Sequence, residues 1–170
     1  ATSQEATAAF AAGARAVTHL FNAMSQLESR APGLVGAALG SEAYLGIIVD
    51  GHHVADDVVA LAIRARPIPD RMFLVSDAMP TVGGPDSFSL YGQKIRLQGG
   101  RLVDAEGRLA GAHTTMFARL RRLVKQLGLP LEQALRMAHT VPLDLLYGET
   151  RDRRTLVGAP LDDVLVLDGD

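Results

Sequence analysis

The stretch Ala16-Val17-Thr18-His19-Leu20-Phe21-Asn22-Ala23-Met24 decides how this chain is read. It is a short apolar run that follows a Gly-terminated helical pattern and places His19 and Asn22 where the run gives way to a loop. Two later runs end the same way. Tyr44 to Val49 stops at Asp50-Gly51-His52-His53, and Met72-Phe73-Leu74-Val75 stops at Ser76-Asp77. Continuous apolar runs of this length mark strands buried on both faces. In α/β proteins the C-terminal ends of such strands are where polar side chains meet ligand. Three runs therefore deliver His, His and Asp to one rim.

The chain around these runs alternates helix and strand. Thr2-Ser3-Gln4-Glu5 has the spacing of a capping box, and Gly13 closes the helix it opens. The spacing predicts a strand over 15–20, a long loop from Asn22 to Gly36 and a short helix from Val35 to Leu39. A helix follows over Asp56 to Arg66, closed by Pro67 and Pro69. Phe88 to Val103 alternates polar and apolar residues around Gly92 and Gly99-Gly100, the mark of β-hairpins. Further helices are expected over Thr114 to Leu127, from Leu131 to Ala138 and from Pro142 to Tyr147, with a final strand at Val164-Leu165-Val166-Leu167. Alternating helices and strands with short links imply parallel strands joined by right-handed crossovers. Three strands do not close a barrel, and the order is that of the later part of one.

Composition narrows the classes. The chain has 170 residues, 48% hydrophobic and 21% charged, with a net charge of −2. That fits one soluble globular domain and offers no broad electrostatic case for nucleic acid or an anionic membrane. There is no cysteine, so a metal would be held by His, carboxylate or water. The apolar runs fall far short of a membrane span and no signal peptide precedes the first helix, so the expected compartment is the cytoplasm.

Several side chains carry candidate chemistry. His19, on a rigid strand end, is either a divalent-metal ligand or a histidine hydrogen-bonded at a loop start. Asp77 is a general base or ligand among apolar neighbours, or a turn aspartate before Pro80. His52-His53 suits anions or metal, but adjacent residues rarely face one point, so one of the two at most is functional. Arg30, in a Pro-Gly loop, suits a phosphate or carboxylate. Arg119, Arg121, Arg122 and Lys125 read as a solvated helix face, and Gly83-Gly84 as a turn. His113 precedes a helix whose N-terminus faces the site on one reading.

Taken together, Thr18-His19-Leu20-Phe21-Asn22-Ala23-Met24, Arg30-Ala31-Pro32-Gly33-Leu34, Asp50-Gly51-His52-His53-Val54, Val75-Ser76-Asp77-Ala78 and Leu109-Ala110-Gly111 resemble the N-acetylglucosamine-6-phosphate deacetylase family of the amidohydrolase superfamily. The likeness runs from Ala1 to about Gly148. It implies an α/β fold, the later part of a metal-dependent (β/α)8 barrel. Residues 1–150 would supply that partial barrel with a β insertion at about 86–110, and 151–170 a strand of a small β-sandwich. It implies His19 as ligand to a divalent ion, zinc or iron, and Asp77 as the catalytic acid/base. Asn22, Ala23, Arg30 and His53 would hold the sugar phosphate, with Asp50, Gly51 and His52 in the same binding motif, and Leu109, Ala110 and Gly111 would line the pocket. The family pattern also implies a homodimer whose phosphate site lies at the interface. Family members carry a metal-ligating Glu and a second ligand His upstream of the matching region. The chain thus resembles a C-terminal portion, expected to be inactive alone. The alternatives are a deacetylase of another phosphorylated amino sugar, or a catalytically dead sugar-phosphate-binding or assembly module.

Overall fold

The computed structural model describes residues 1–148 together with 158–160, 162, 164 and 166. Helix α1 (Ser3–Ala11) begins with the capping box expected of Thr2 and Glu5. The Glu5 N–H donates to Thr2 Oγ1 at 3.2 Å, and the Thr2 N–H donates to the Glu5 carboxylate at 2.7 Å. The two bonds satisfy two otherwise orphaned donors. Gly13, in left-handed backbone, turns the chain out of the helix.

Three parallel strands follow, β1 (Ala16–Val17), β2 (Tyr44–Ile47) and β3 (Met72–Leu74), with β2 in the middle. Helix α2 (Gly33–Leu39) lies between β1 and β2, and α3 (Asp56–Arg64) between β2 and β3. Every residue of β2 is buried, as its unbroken apolar sequence requires. Gly46 sits there because a side chain would strike Val75 and the Phe73 ring.

Strand β1 is shorter than the expected 15–20. Regular pairing stops after Val17 because His19 turns left-handed, yet the Leu20 N–H still donates to the Gly46 carbonyl at 2.8 Å. The chain thus breaks step at His19 and rejoins the sheet with a fully buried Leu20.

An antiparallel sheet follows, β4 (Ser87–Leu90), β5 (Gln93–Gln98) and β6 (Arg101–Val103), which realises the expected hairpins. Helix α4 (Met116–Lys125), capped by Thr115, leads to α5 (Leu131–Leu135) and α6 (Val141–Tyr147). A π-type turn, Arg136–Thr140, joins the last two. Pro142 lies two residues past it, and a proline inside a helix lacks an N–H and crowds the preceding turn. The widened turn absorbs that mismatch. The strand expected at Val164–Leu167 and the sandwich segment at 155–170 lie outside the described residues for the most part.

The core gathers Leu45, Ile47 and Val49 of the central run, Met72 and Leu74 of β3, Val59 of α3, and Leu120 and Leu123 of α4. Beside it, Arg66 is buried after α3. Its guanidinium donates to the carbonyls of Ala38, Leu39, Ser41 and Ala43 at 2.7–3.1 Å, tying down the α2–β2 connection.

Candidate active site at the strand ends

Parallel strands β1, β2 and β3 are neighbours, so the loops leaving their C-terminal ends share one rim. The loop after β1 carries His19, Asn22, Ala23 and Arg30. Its backbone is left-handed at His19, Phe21 and Ala23. None of these is glycine or asparagine, and each such residue costs about 1–3 kcal/mol that surrounding structure must offset. Three sets of bonds hold the loop. His19 Nδ1 lies 3.0 Å from the Asn22 carbonyl. The Gln26 amide donates to the Phe21 and Met24 carbonyls at 2.7 and 2.8 Å. Ser25 Oγ accepts from the Leu34 N–H at 2.7 Å and donates to the Ala1 carbonyl. Gly33 has no room for a side chain, because a Cβ would meet the Gln26 carbonyl at 2.3 Å. Arg30 is exposed at the far side of this loop, with no side-chain partner among the described residues.

The loop after β2 is organised by Asp50. Its Oδ1 accepts from the N–H groups of His52 and His53 at 2.8 and 2.9 Å, and its Oδ2 lies 2.7 Å from His53 Nδ1. Burial alone would raise the Asp50 pKa, but these bonds outweigh it and hold the carboxyl well below its ordinary range. The His53 ring is thereby fixed with Nε2 free, whereas the His52 ring makes no hydrogen bond and is exposed. Of the two histidines, His53 is the one whose ring is held by Asp50. Gly51, at φ +76°, packs directly on Arg122 of α4, whose guanidinium makes paired bonds of 2.8 and 2.7 Å to Asp56.

The loop after β3 brings Asp77 to Gly111 and Ala112, whereas Leu109 and Ala110 lie along β6, the Ala110 N–H donating to the Leu102 carbonyl at 3.0 Å. The Ala112 N–H donates to the Asp77 carbonyl at 2.8 Å, and the Met79 N–H to the Ala112 carbonyl at 3.1 Å. Gly111 is required there, since a Cβ would overlap the Met79 side chain at 2.5 Å. Asp77 is itself left-handed and exposed, not enclosed by the apolar neighbours that its sequence context suggests. His113 lies 3.0 Å through Nδ1 from the buried Thr81 hydroxyl. Of the five non-glycine residues with left-handed backbone among those described, four (His19, Phe21, Ala23 and Asp77) sit in the strand-end motifs, the fifth being Tyr91 in a hairpin turn. Strain of this kind gathers at functional sites.

Comparison with known proteins accords with this geometry. The N-acetylglucosamine-6-phosphate deacetylase of Haemophilus influenzae is 39% identical over 146 residues, which cover 84% of this chain and 38% of that protein. An Escherichia coli strain K12 relative, given N-acetylgalactosamine-6-phosphate deacetylase as a provisional name, is 35% identical over 75% of this chain and 77% of its own length. The crystal structure of N-acetylglucosamine-6-phosphate deacetylase from Pasteurella multocida superposes with a TM-score of 0.83 at 37% identity, over 88% of this chain and 39% of that one. The chain belongs to the N-acetylglucosamine-6-phosphate deacetylase family. No family model matches it, and it spans about two fifths of the length of the first relatives it matches.

One feature of this deacetylase-family chain departs from expectation. Arg119 and Arg122 do not belong to a solvated face. Arg119 is wholly buried, with one nitrogen donating to the Val75 carbonyl at the end of β3 and with Nε and Nη2 unpartnered among the described residues. Burial pushes its pKa down, against the opposing pull of the Asp50 and Asp77 carboxylates. The signal was present in the sequence, because Met116, Arg119, Leu120 and Leu123 share one helical stripe. No group of three or more His, Cys, Asp or Glu among the described residues is placed to hold a metal ion. His19 alone does not make a site. Nor is any helix among them long and apolar enough to cross a membrane.

Proposed function

We propose that this chain carries the sugar-phosphate-recognising and proton-transferring part of an enzyme that hydrolyses the acetamide of N-acetyl-D-glucosamine 6-phosphate to acetate and glucosamine 6-phosphate. One observation carries the reading: the strained strand-end backbone falls on the motif residues His19, Ala23 and Asp77, within a chain whose relatives are named for this reaction. In this reading Asp77 accepts a proton from the water attacking the acetamide carbonyl carbon. It returns that proton to the amine nitrogen as the C–N bond breaks. Arg30 and His53 take the phosphate, Asn22 and Ala23 the sugar, and Leu109 to Gly111 line its pocket. Asp50 holds the His53 ring, Gly51 admits Arg122 behind the loop, and His52 borders it.

We assign His19 as one ligand of a divalent ion, zinc or iron. Catalytic metal sites commonly offer three protein ligands, so this ion needs ligands beyond the described residues, and those residues alone are expected not to turn over. Residues 1–150 are read as part of a (β/α)8 barrel with 86–110 inserted, and 151–170 as a sandwich strand. The enzyme is placed in the cytoplasm as a homodimer in which Arg30 or His53 serves the neighbouring subunit. The exposure of Arg30 and its lack of a side-chain partner support that sharing. The name of the Escherichia coli relative favours a second substrate reading, N-acetylgalactosamine 6-phosphate.

The test is acetate release by the complete enzyme from both sugar phosphates, with Asp77→Asn alongside. The glucosamine derivative is expected to have the higher kcat/KM. The Asp77→Asn variant should keep substrate binding while kcat falls by at least ~10²-fold, the usual loss of a general acid–base. Near-normal kcat in that variant would return Asp77 to the role of a turn residue. Preference for the galactosamine derivative would move the substrate to the second reading.

A further inference from the structure

A cleft of about 710 Å³ opens between the Asp50–His53 loop, the β5–β6 turn and helix α4. That is the size of a small-molecule site. His52 packs toward the turn, its Nε2 lying 3.3 Å from where a Cβ on Gly100 would stand. Helix α4 contributes Phe117, Arg121 and Lys125, spaced four residues apart and so aligned on one face.

The charges lining the cleft do not cancel. Arg122 is taken up by Asp56, and Asp50 is bonded to its own loop through both oxygens. Arg121 and Lys125 have no side-chain partner among the described residues, and no other carboxylate lines the cleft. Between them and the Thr115 cap lies Phe117, a large apolar side chain left 56% exposed. Two unpaired cations beside a bare aromatic ring suit a ligand that has a dianionic end and a flat, partly apolar body.

We infer that this cleft is a second anion site, sharing the Asp50–His53 loop with the proposed substrate site but using its own cations, Arg121 and Lys125, and that it takes a sugar phosphate. The phosphate sits on Arg121 and Lys125, and the sugar lies between the Phe117 ring and His52. The floor of the cleft is the loop that carries His53, so occupancy bears on the neighbouring residue proposed to hold the substrate phosphate. That link rests on the proposed function, but the existence of the second site does not.

The test is calorimetric titration of the complete protein with inorganic phosphate and, separately, with glucosamine 6-phosphate. Two molecules per chain are expected to bind the wild type. One should remain in Arg30→Ala and one in Arg121→Ala/Lys125→Ala, with none in the triple variant. Because Arg121 and Lys125 are exposed, the double variant should melt with the wild type, and Arg121→Glu/Lys125→Glu should abolish the same event. Glucosamine 6-phosphate should bind the cleft more tightly than phosphate, and Phe117→Ala should remove that advantage. One molecule per chain in the wild type, or full stoichiometry in Arg121→Ala/Lys125→Ala, would overturn the second site. Equal affinity for the two ligands would overturn the sugar assignment. Unimpaired turnover by Arg30→Ala would count against the substrate-phosphate reading instead, leaving the count at the cleft legible by itself.

Discussion

Replacing Gly51 with alanine should destabilise this protein in two separable ways. The residue sits at φ +76°, and an L-side chain in left-handed backbone costs roughly 1–2 kcal/mol. The new methyl group would also stand 2.3 Å from Nη2 and 2.6 Å from Cζ of Arg122, inside any tolerable contact. Arg122 can swing away only by giving up its paired bonds to Asp56. Both partners are about one third exposed, so solvent screens the pair and its loss adds only about 0.2–1 kcal/mol. The total is therefore about 1.2–3 kcal/mol for Gly51→Ala. In an Arg122→Ala background the collision disappears, and the same substitution should cost only the backbone share. Urea unfolding of the complete protein in all four members of this double-mutant cycle measures the difference, with a coupling of about 0.2–1 kcal/mol expected. Equal costs in the two backgrounds would refute the packing of Arg122 on Gly51. A cost below about 0.5 kcal/mol in both would refute the left-handed backbone as well.

Other outcomes follow from the same geometry. Removing Arg30 or His53 should weaken binding of N-acetylglucosamine 6-phosphate by ~10–100-fold, the scale of a charge-assisted contact. Unphosphorylated N-acetylglucosamine should lose much less, and equal losses for the two sugars would count against phosphate recognition. The Asp50 carboxyl titrates below its ordinary value of 3.8 in the folded protein, so its contribution to stability is complete above about pH 4. That contribution fades as pH falls through the lowered value. Asp50→Asn should therefore flatten the acid limb of a stability–pH curve measured by urea unfolding. Arg66→Met removes donors from four carbonyls, of which Ala38 keeps the Ser41 N–H and hydroxyl. At about 1 kcal/mol for each of the other three, the loss should reach about 3 kcal/mol in denaturant unfolding, whereas Arg64→Met, at the exposed end of α3, should cost little.

What the sequence disclosed and what it hid divide along physical lines. The run from Tyr44 to Val49 is apolar throughout, and only a strand enclosed on both faces needs that, so its burial was legible, whereas its place between β1 and β3 came from the structure. The capping box at Thr2 and the hairpins around Gly92 were equally plain, since each depends on neighbours a few residues apart. The left-handed turns at His19, Phe21 and Ala23 were not legible, because those residue types avoid such backbone unless distant contacts enforce it. Motif resemblance brought those positions forward where local propensity could not. Arg119 was misplaced by its charge: residue type argued for solvent while its position on the helix argued for the core, and position prevailed. The joining of Asp77 to Gly111 and Ala112 was also hidden, because the whole antiparallel sheet intervenes in sequence.

The bonds within the loop after β1 bear on how a ligand would be received. Ser25, Gln26 and Gly33 hold the segment against the start of α2 and against Ala1 before anything binds. A slack loop that closes over its ligand forfeits about 1–2 kcal/mol of backbone entropy for each residue it orders, and affinity falls accordingly. Here that ordering belongs to folding. A molecule arriving at Asn22 and Ala23 meets a surface already in shape, so recognition there operates by fit and exclusion rather than by accommodation.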